Sequence, residues 1–244
     1  RRPASMHTSA ACQDEACARI GAPCPLILRP MPVSDDLNAA AAPAPETATA
    51  ARKRPRPGER RVQILQTLAG MLEQPGADRV TTAALAAKLE VSEAALYRHF
   101  ASKAQMFEGL IEFIESSVFT LVNQIIEREG SGLLQAQKIV SVLLQFGERN
   151  PGMTRVMVGD ALVYENERLV ARMNQFFDRI ESSLRQVLRA AAEANGSATP
   201  TVQANAQASV LVSFIIGRLQ RYARSGFKRL PTEQLDAALR MIAS

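Results

Sequence analysis

The chain has 244 residues, a formal net charge of +5 and 47% hydrophobic residues, which is enough apolar material for one or two folded domains. It has no Trp and only two His, and it lacks any run of 18 uncharged apolar residues, so we expect no membrane span. Ala, Leu, Arg and Gln dominate, and this mixture favours helices. The composition therefore predicts an all-α protein.

Residues 1–57 are rich in Pro and Ala and show no helical or strand period, so we expect a disordered tail. The tail ends in the basic run RKRPRPGERR at positions 52–61. This run is either a solvated cluster of charges or a flexible arm that contacts DNA phosphates or the minor groove.

Three cysteines, Cys12, Cys17 and Cys24, lie in the same tail near His7. Their number is odd and their spacing matches no standard zinc pattern, so we expect neither a closed disulfide set nor a metal site. The apolar stretch LIL at positions 26–28 is too short for a secretory signal. We expect a cytoplasmic protein.

From residue 59 onward, apolar side chains recur at helical spacing, and turn and capping residues divide the chain into nine predicted helices. The predicted helices span about 59–74, 82–89, 93–99, 103–128, 133–148, a short stretch from Pro151, 161–193, 201–224 and 232–243. Ser102 and Gln105 form a capping box at the start of the fourth helix. Within this series we assign residues 58–103 to a DNA-binding domain and residues 104–244 to a helical dimerisation and partner-binding domain.

The DNA-binding assignment depends on the stretch VSEAALYRHFASK at positions 91–103. A short alanine-rich helix and then a tight turn come before this stretch, and two short helices joined by such a turn are typical of a helix-turn-helix. Leu96 and Phe100 lie one turn apart and are predicted to face the core. The opposite side and its borders carry the candidate DNA-binding residues, namely Thr81, Ser92, Glu93, Ala94, Tyr97, Arg98, His99 and Lys103.

These candidates divide by the part of DNA that each can reach. Ser92 and Glu93 begin the second short helix, whose first turn approaches base edges. Glu93 could instead simply complement the helix dipole, and base contacts would then fall to Ser92, Ala94 and Arg98.

Phosphate contacts are expected from the remaining candidates. Tyr97 and His99 can donate to phosphate oxygens, and Thr81 and Lys103 lie at helix N-termini, where anions bind. Two of them have a structural alternative: Tyr97 could be a core aromatic with a solvated tip, and His99 a packed histidine.

Positive charge is concentrated on the same segment. Residues 52–103 hold ten Lys/Arg and five Asp/Glu, a net charge of +5, whereas residues 104–244 hold 15 basic and 14 acidic side chains, a net charge of +1. Neutralisation of the DNA backbone requires such an excess. The two histidines lie in the tail and in the DNA-binding motif, and no phosphate loop, nucleophile elbow or metal-binding set of side chains is apparent, so we expect no catalytic residues, no cofactor and no enzyme.

The motif resembles that of the TetR-like family, whose pattern is matched at Val91, Ser92, Leu96, Tyr97, His99, Phe100 and Lys103. The chain departs from the family at Glu90, where Gly is usual, and at Ala101, where Pro is frequent. The segments at 93–115, 146–155 and 172–189 are similar to one branch of the family, the nucleoid occlusion factors. The resemblance implies phosphate-contact roles for Thr81, Tyr97, His99 and Lys103, and a two-fold homodimer on a palindromic double-stranded DNA site.

The resemblance to this branch implies that the protein binds chromosomal sites and associates with the nucleoid. It also implies that the protein antagonises polymers of the division GTPase FtsZ and so prevents septum formation there. The alternative is a TetR-like, ligand-responsive transcriptional repressor of the same fold. Two chains are expected to pair through the last two helices. The apolar residues predicted for this pairing are Val210, Leu211, Phe214, Ile215, Leu219, Leu235, Leu239 and Ile242.

A partner site is predicted between the fourth and fifth helices, where the segment FGERNPG spans residues 146–152. Phe113 and Phe146 would wall an apolar groove, Arg149 would meet acidic groups of a peptide, and Asn150 would read its backbone. The alternative is that both Phe residues belong to the core and Asn150 is a helix cap.

Overall fold

The computed structural model describes residues 59–74 and 80–242. Within these ranges every regular element is helical, which confirms the all-α prediction. The α-helices are α1 (Glu59–Leu72), α2 (Thr82–Lys88), α3 (Glu93–Tyr97), α4 (Lys103–Arg128), α5 (Gly132–Arg149), α6 (Pro151–Met157), α7 (Glu167–Ala194), α8 (Pro200–Arg224) and α9 (Leu235–Ile242). The predicted tail and basic arm at residues 1–57, with the three cysteines and His7, lie outside the described residues.

Side-chain caps set the boundaries of the first helices. Thr81 accepts a hydrogen bond from the amide of Ala84 at 3.2 Å, and Ser92 accepts one from the amide of Ala95 at 3.3 Å. An N-cap hydroxyl satisfies one of the amides that a helix start leaves without a partner. The start of α4 is fixed in the same way by Ser102, as the sequence predicts.

The core of the C-terminal helices is built mainly by α7 and α8, which pack along each other and against α5. Phe176 of α7 is fully buried and its ring meets Phe119 of α4 edge-on, with 5.6 Å between centroids. By length and composition α4 could cross a membrane. Nine of its residues are buried against other helices of this chain, which is the packing of a core helix.

The helix-turn-helix portion meets the C-terminal helices where α1 ends and α6 begins. A Cβ added at Gly152 would lie 2.0 Å from the carbonyl oxygen of Ala69, so only glycine allows this approach of the two backbones. Arg155 of α6 also donates to the carbonyl of Leu72 at 3.4 Å. These contacts join the helix-turn-helix portion directly to the C-terminal helices.

Two sequence expectations need correction. The seventh helix begins at Glu167 rather than about residue 161, because residues 160–162 form a 3-10 turn and Asn166 caps the helix by accepting from the amide of Arg168 at 3.1 Å. Five of the residues predicted to pair two chains are at most 8% exposed within one chain and therefore belong to its own core. These five are Leu211, Ile215, Leu219, Leu235 and Leu239.

Candidate nucleic-acid interface

The second helix of the motif, α3, has a buried side and a polar side. Leu96 and Phe100 are each 1% exposed and face the core, as the sequence predicts. Phe100 packs against Arg61 of α1 and lies next to Gly109 of α4. The helix itself is shorter than predicted, because it ends at Tyr97 and the chain continues in a turn through His99. Five residues of helix suffice to place Glu93, Ala94 and Tyr97 on the outer side.

The exposed candidates lie together on this outer side. Tyr97 is 45% exposed, so the alternative that it is a core aromatic does not hold. Arg98 and His99 are exposed as well, as are Thr81, Ser92 and Ala94. A surface that combines hydroxyls, a guanidinium and an imidazole can donate to both phosphate oxygens and base edges.

Glu93 has a structural role in this arrangement. Its carboxylate accepts a hydrogen bond from the hydroxyl of Thr82 at 2.7 Å, which ties the first turn of α2 to the first turn of α3. The turn between these helices contains Glu90 with a φ of 54°, a left-handed conformation that costs a non-glycine residue about 1 kcal/mol. The carboxylate of Glu93 thus holds the turn, and Ser92, Ala94 and Arg98 remain as the candidates for base contacts.

Arg61 of α1 is a residue that the sequence does not single out within the basic run. Its Nη1 donates to the carbonyl of His99 at 2.8 Å, and its guanidinium lies 4.2 Å from the centroid of the Phe100 ring. Arg61 therefore fixes the turn that follows α3, at His99 and Phe100, against α1. Its position in a basic run is the only sequence signal, and that signal does not reveal a partner 38 residues away.

Lys103 is placed differently from the other phosphate candidates. Its ammonium forms an ion pair with Glu165, in the turn before α7. The same ammonium lies 5.7 Å from the centroid of the Phe107 ring. Glu165 has no sequence signal at all, because it is 62 residues from its partner and outside every motif.

The predicted partner segment is largely internal. Phe146 is fully buried, and Asn150 is 7% exposed with its Nδ2 donating to the carbonyl of Phe146 at 2.9 Å. Phe113 is half-buried against the core, and Arg149 is half-buried at the end of α5. The alternative reading is therefore correct for Phe146 as a core residue and for Asn150 as the cap of α5. Of the four residues, Phe113 and Arg149 retain surface.

Two family models match separate parts of the chain. Residues 64–110 match the model described as bacterial regulatory proteins, tetR family. Residues 131–244 match the model described as tetracyclin repressor-like, C-terminal domain, in its SlmA-like form. The first match contains the complete helix-turn-helix described above.

Similar proteins extend the match over most of the chain. The nucleoid occlusion factor SlmA of Vibrio cholerae is 53% identical over 178 residues, which cover 72% of this chain and 90% of that protein. The protein of the same name from Idiomarina loihiensis is 52% identical over 73% of this chain and 90% of its own length. The chain belongs to the SlmA family of nucleoid occlusion factors. This family lies within the TetR family, so the resemblance seen in the sequence is confirmed.

Solved structures similar to this SlmA-family chain share its fold at low identity. The transcriptional regulator FadR from Bacillus subtilis, solved with stearoyl-CoA, has a TM-score of 0.60 at 12% identity and covers 75% of this chain and 97% of its own. The ketosteroid regulator KstR2 of Mycobacterium tuberculosis has a TM-score of 0.59 at 18% identity, covering 76% of this chain and 94% of its own. Both therefore support the TetR-like fold alone.

A cavity of about 280 Å³ lies between α5 and α9 in the described part of the chain. Besides Leu134 and Leu239, its lining consists of polar or charged residues such as Lys138 and Arg240.

Proposed function

We propose that this SlmA-family protein binds palindromic double-stranded DNA as a homodimer and, when bound at chromosomal sites, antagonises FtsZ polymerisation. In this way it prevents septum formation over the nucleoid and acts in the cytoplasm as a nucleoid-associated regulator. The observation that carries the proposal is the identity of about one residue in two to nucleoid occlusion factors over the DNA-binding helices and the C-terminal helices together.

The DNA-binding half of the proposal is supported by the exposed face of α3. Ser92, Ala94 and Arg98 are the candidates for base edges, and Thr81, Tyr97 and His99 for phosphates. A two-fold dimer would set two copies of α3 into successive major grooves, about 34 Å apart. The exposed apolar side chains of α8, Val202 at 67% and Val210 at 52%, support dimer formation on that helix.

The partner half of the proposal rests on the surface where α4 and α5 run side by side. Phe113 supplies exposed apolar area there, and Arg149 supplies a cation for the acidic groups of an FtsZ tail peptide. Since Phe146 and Asn150 are internal, they would shape this surface from below rather than touch the peptide.

A map of bound sites across the chromosome tests the proposed function in the cell. Nucleoid occlusion requires many palindromic sites scattered over the chromosome and sparse near the terminus, because division must be released there. A single site next to one neighbouring gene would instead identify a local repressor and contradict the proposal.

A further inference from the structure

The ion pair between Lys103 and Glu165 joins the helix-turn-helix motif to the turn before α7, which lies far from it in the sequence. Lys103 is the first residue of α4 and a candidate phosphate contact, whereas Glu165 lies in the turn before α7. The lysine side chain is 25% exposed and the glutamate side chain 11% exposed. Because little water reaches this carboxylate, its charge is screened less than that of a surface acid.

We infer that the carboxylate of Glu165 competes with DNA phosphate for Lys103 and so acts as a built-in brake on DNA binding. A DNA phosphate that binds Lys103 must displace the carboxylate, because coexistence would place two negative charges within a few ångströms. Displacement loses the ion pair, so the pair opposes DNA binding.

The pair can open without separating α4 from α7. Two further ion pairs join α4 to α7. Arg168 pairs with Glu108 at 2.7 Å, and Arg172 donates to both carboxylate oxygens of Glu115, at 3.2 and 2.6 Å. Hydrogen bonding to Glu115 raises the pKa of Arg172, the direction expected for a guanidinium that is paired with a carboxylate. Both of these ion pairs have the acid on α4 and the base on α7. In the pair of Lys103 with Glu165, by contrast, the base is on α4.

Release of Glu165 would free the turn that carries it. Val163 and Tyr164 precede it and are 68% and 71% exposed, so they add little packing to hold the turn in place. DNA binding and closure of the turn are thus linked, and by thermodynamic reciprocity each weakens the other equally. The C-terminal domain of this chain would sense whether the helix-turn-helix holds DNA.

The inference depends on the proposed function only in assigning Lys103 to a phosphate. Glu165→Gln removes the negative charge and keeps the shape of the side chain. Glu108→Gln is the matched control, because it removes one negative charge from the neighbouring ion pair with Arg168. Affinity for one palindromic duplex, measured by anisotropy on the full chain, should rise about three- to tenfold more for Glu165→Gln than for Glu108→Gln.

A double substitution identifies the competitor. In a Lys103→Ala background, Glu165→Gln should give no more than the effect of Glu108→Gln, since no lysine is left to release. Equal gains from both Gln variants in the presence of Lys103, or weaker binding by Glu165→Gln, would overturn the inference and leave DNA binding itself intact. A chain that binds no duplex at all would instead contradict the proposed function.

The state of the turn can be read without any charge substitution. The chain contains no Trp, so Tyr164→Trp supplies a single tryptophan reporter next to Glu165. Addition of the palindromic duplex should lower the steady-state anisotropy of the introduced indole as the turn is released. The same anisotropy with and without bound duplex would overturn the inference even if Glu165→Gln failed to fold.

Discussion

The helix-turn-helix and the C-terminal helices hold their candidate functional residues in opposite ways. Around α3, two buried anchors, Leu96 and Phe100, leave almost every other side chain from 92 to 99 on the surface. In the segment from 146 to 152, Phe146, Asn150 and Gly152 are internal, and Arg149 is only half-exposed. The DNA face is therefore separable from the core, and the predicted partner face is part of it.

This difference has a consequence for substitution. A side chain on the DNA face that neither caps a helix nor bonds across the turn, such as Tyr97 or Arg98, can be changed with little effect on stability, because it packs against little. A change near the end of α5 reaches Glu148, whose backbone and side chain hold Tyr222 and Thr232 of the C-terminal segment. Function and stability should thus separate cleanly in the first region and remain coupled in the second.

The largest expected effect comes from removing the anchor of the DNA face. Phe100→Ala should lower the free energy of unfolding by about 3–5 kcal/mol, because it empties a fully buried site beneath Arg61. DNA binding should be lost, while sedimentation should still show a dimer formed by the C-terminal helices. The measurements are thermal unfolding by circular dichroism and duplex anisotropy.

Tyr97→Ala is the control for that experiment, since it removes an aromatic ring from the exposed side of the same helix. It should weaken DNA binding and leave the unfolding midpoint nearly unchanged. If Tyr97→Ala destabilised the protein as much as Phe100→Ala, the separation between the two sides of α3 would be wrong.

The second prediction concerns the partner face. Arg149→Glu should weaken binding of an FtsZ tail peptide by at least about 2 kcal/mol, because it reverses a charge at a partly desolvated contact. Duplex affinity on the same preparation should stay unchanged. Peptide titration and duplex anisotropy provide the two readings.

Lys138→Glu is the matched control, because it reverses a charge on the same helix where Lys138 pairs with Glu129 at 2.7 Å. It should leave peptide affinity unaltered. Peptide binding that survived Arg149→Glu in a folded protein would place the partner surface away from the end of α5.

The DNA face could be predicted from sequence because its pattern is local. Capping residues, two apolar anchors and the polar side chains between them fall within 23 residues, 81–103, and stand at the helix positions that the sequence predicts. Lys103 and Glu93 differ from the others in having partners within the chain that the sequence does not predict. Those two differ because their partners, Glu165 and Thr82, come from other elements. Sequence spacing reports which side of a helix a residue occupies and does not report what packs against that side.

The same limit explains the errors in the C-terminal region. Leu211 and Leu239 have the apolar spacing of a helix face, and that spacing is the same for an internal core and for a dimer surface. Burial within one chain decides between them, and it depends on how α5, α7, α8 and α9 pack. The predicted start of α7 lies too early in the chain, because a 3-10 turn has nearly the same apolar spacing as the first turn of an α-helix.

A smaller effect would sharpen the division of roles within the DNA face. Arg98→Ala should reduce discrimination at one base position by about 1–3 kcal/mol if its guanidinium reaches a base edge. Tyr97→Ala should weaken binding to all duplexes alike, because phosphate contacts carry no base information. Competition between the palindromic duplex and random duplexes measures both, and equal losses on the two for Arg98→Ala would exclude a base contact.

The smallest predicted effect tests the coupling in the C-terminal region. Tyr222 donates its hydroxyl to the carbonyl of Glu148 at 3.0 Å, and burial raises the pKa of Tyr222 to about 12. Tyr222→Phe should cost about 1 kcal/mol of stability through the lost hydrogen bond. Denaturant unfolding should detect this loss with DNA affinity unchanged, and an unaltered stability would argue against a close coupling at the end of α5.

The central claim is that the DNA-bound protein antagonises FtsZ polymers, and light scattering by polymers of purified FtsZ tests it most directly. The full chain would be added with a duplex that contains its palindromic site or with a scrambled duplex of equal length. Scattering should fall with the palindromic duplex and remain high with the scrambled one. Polymers that stay intact while the palindromic duplex is bound would contradict the account and leave a DNA-binding regulator of another kind.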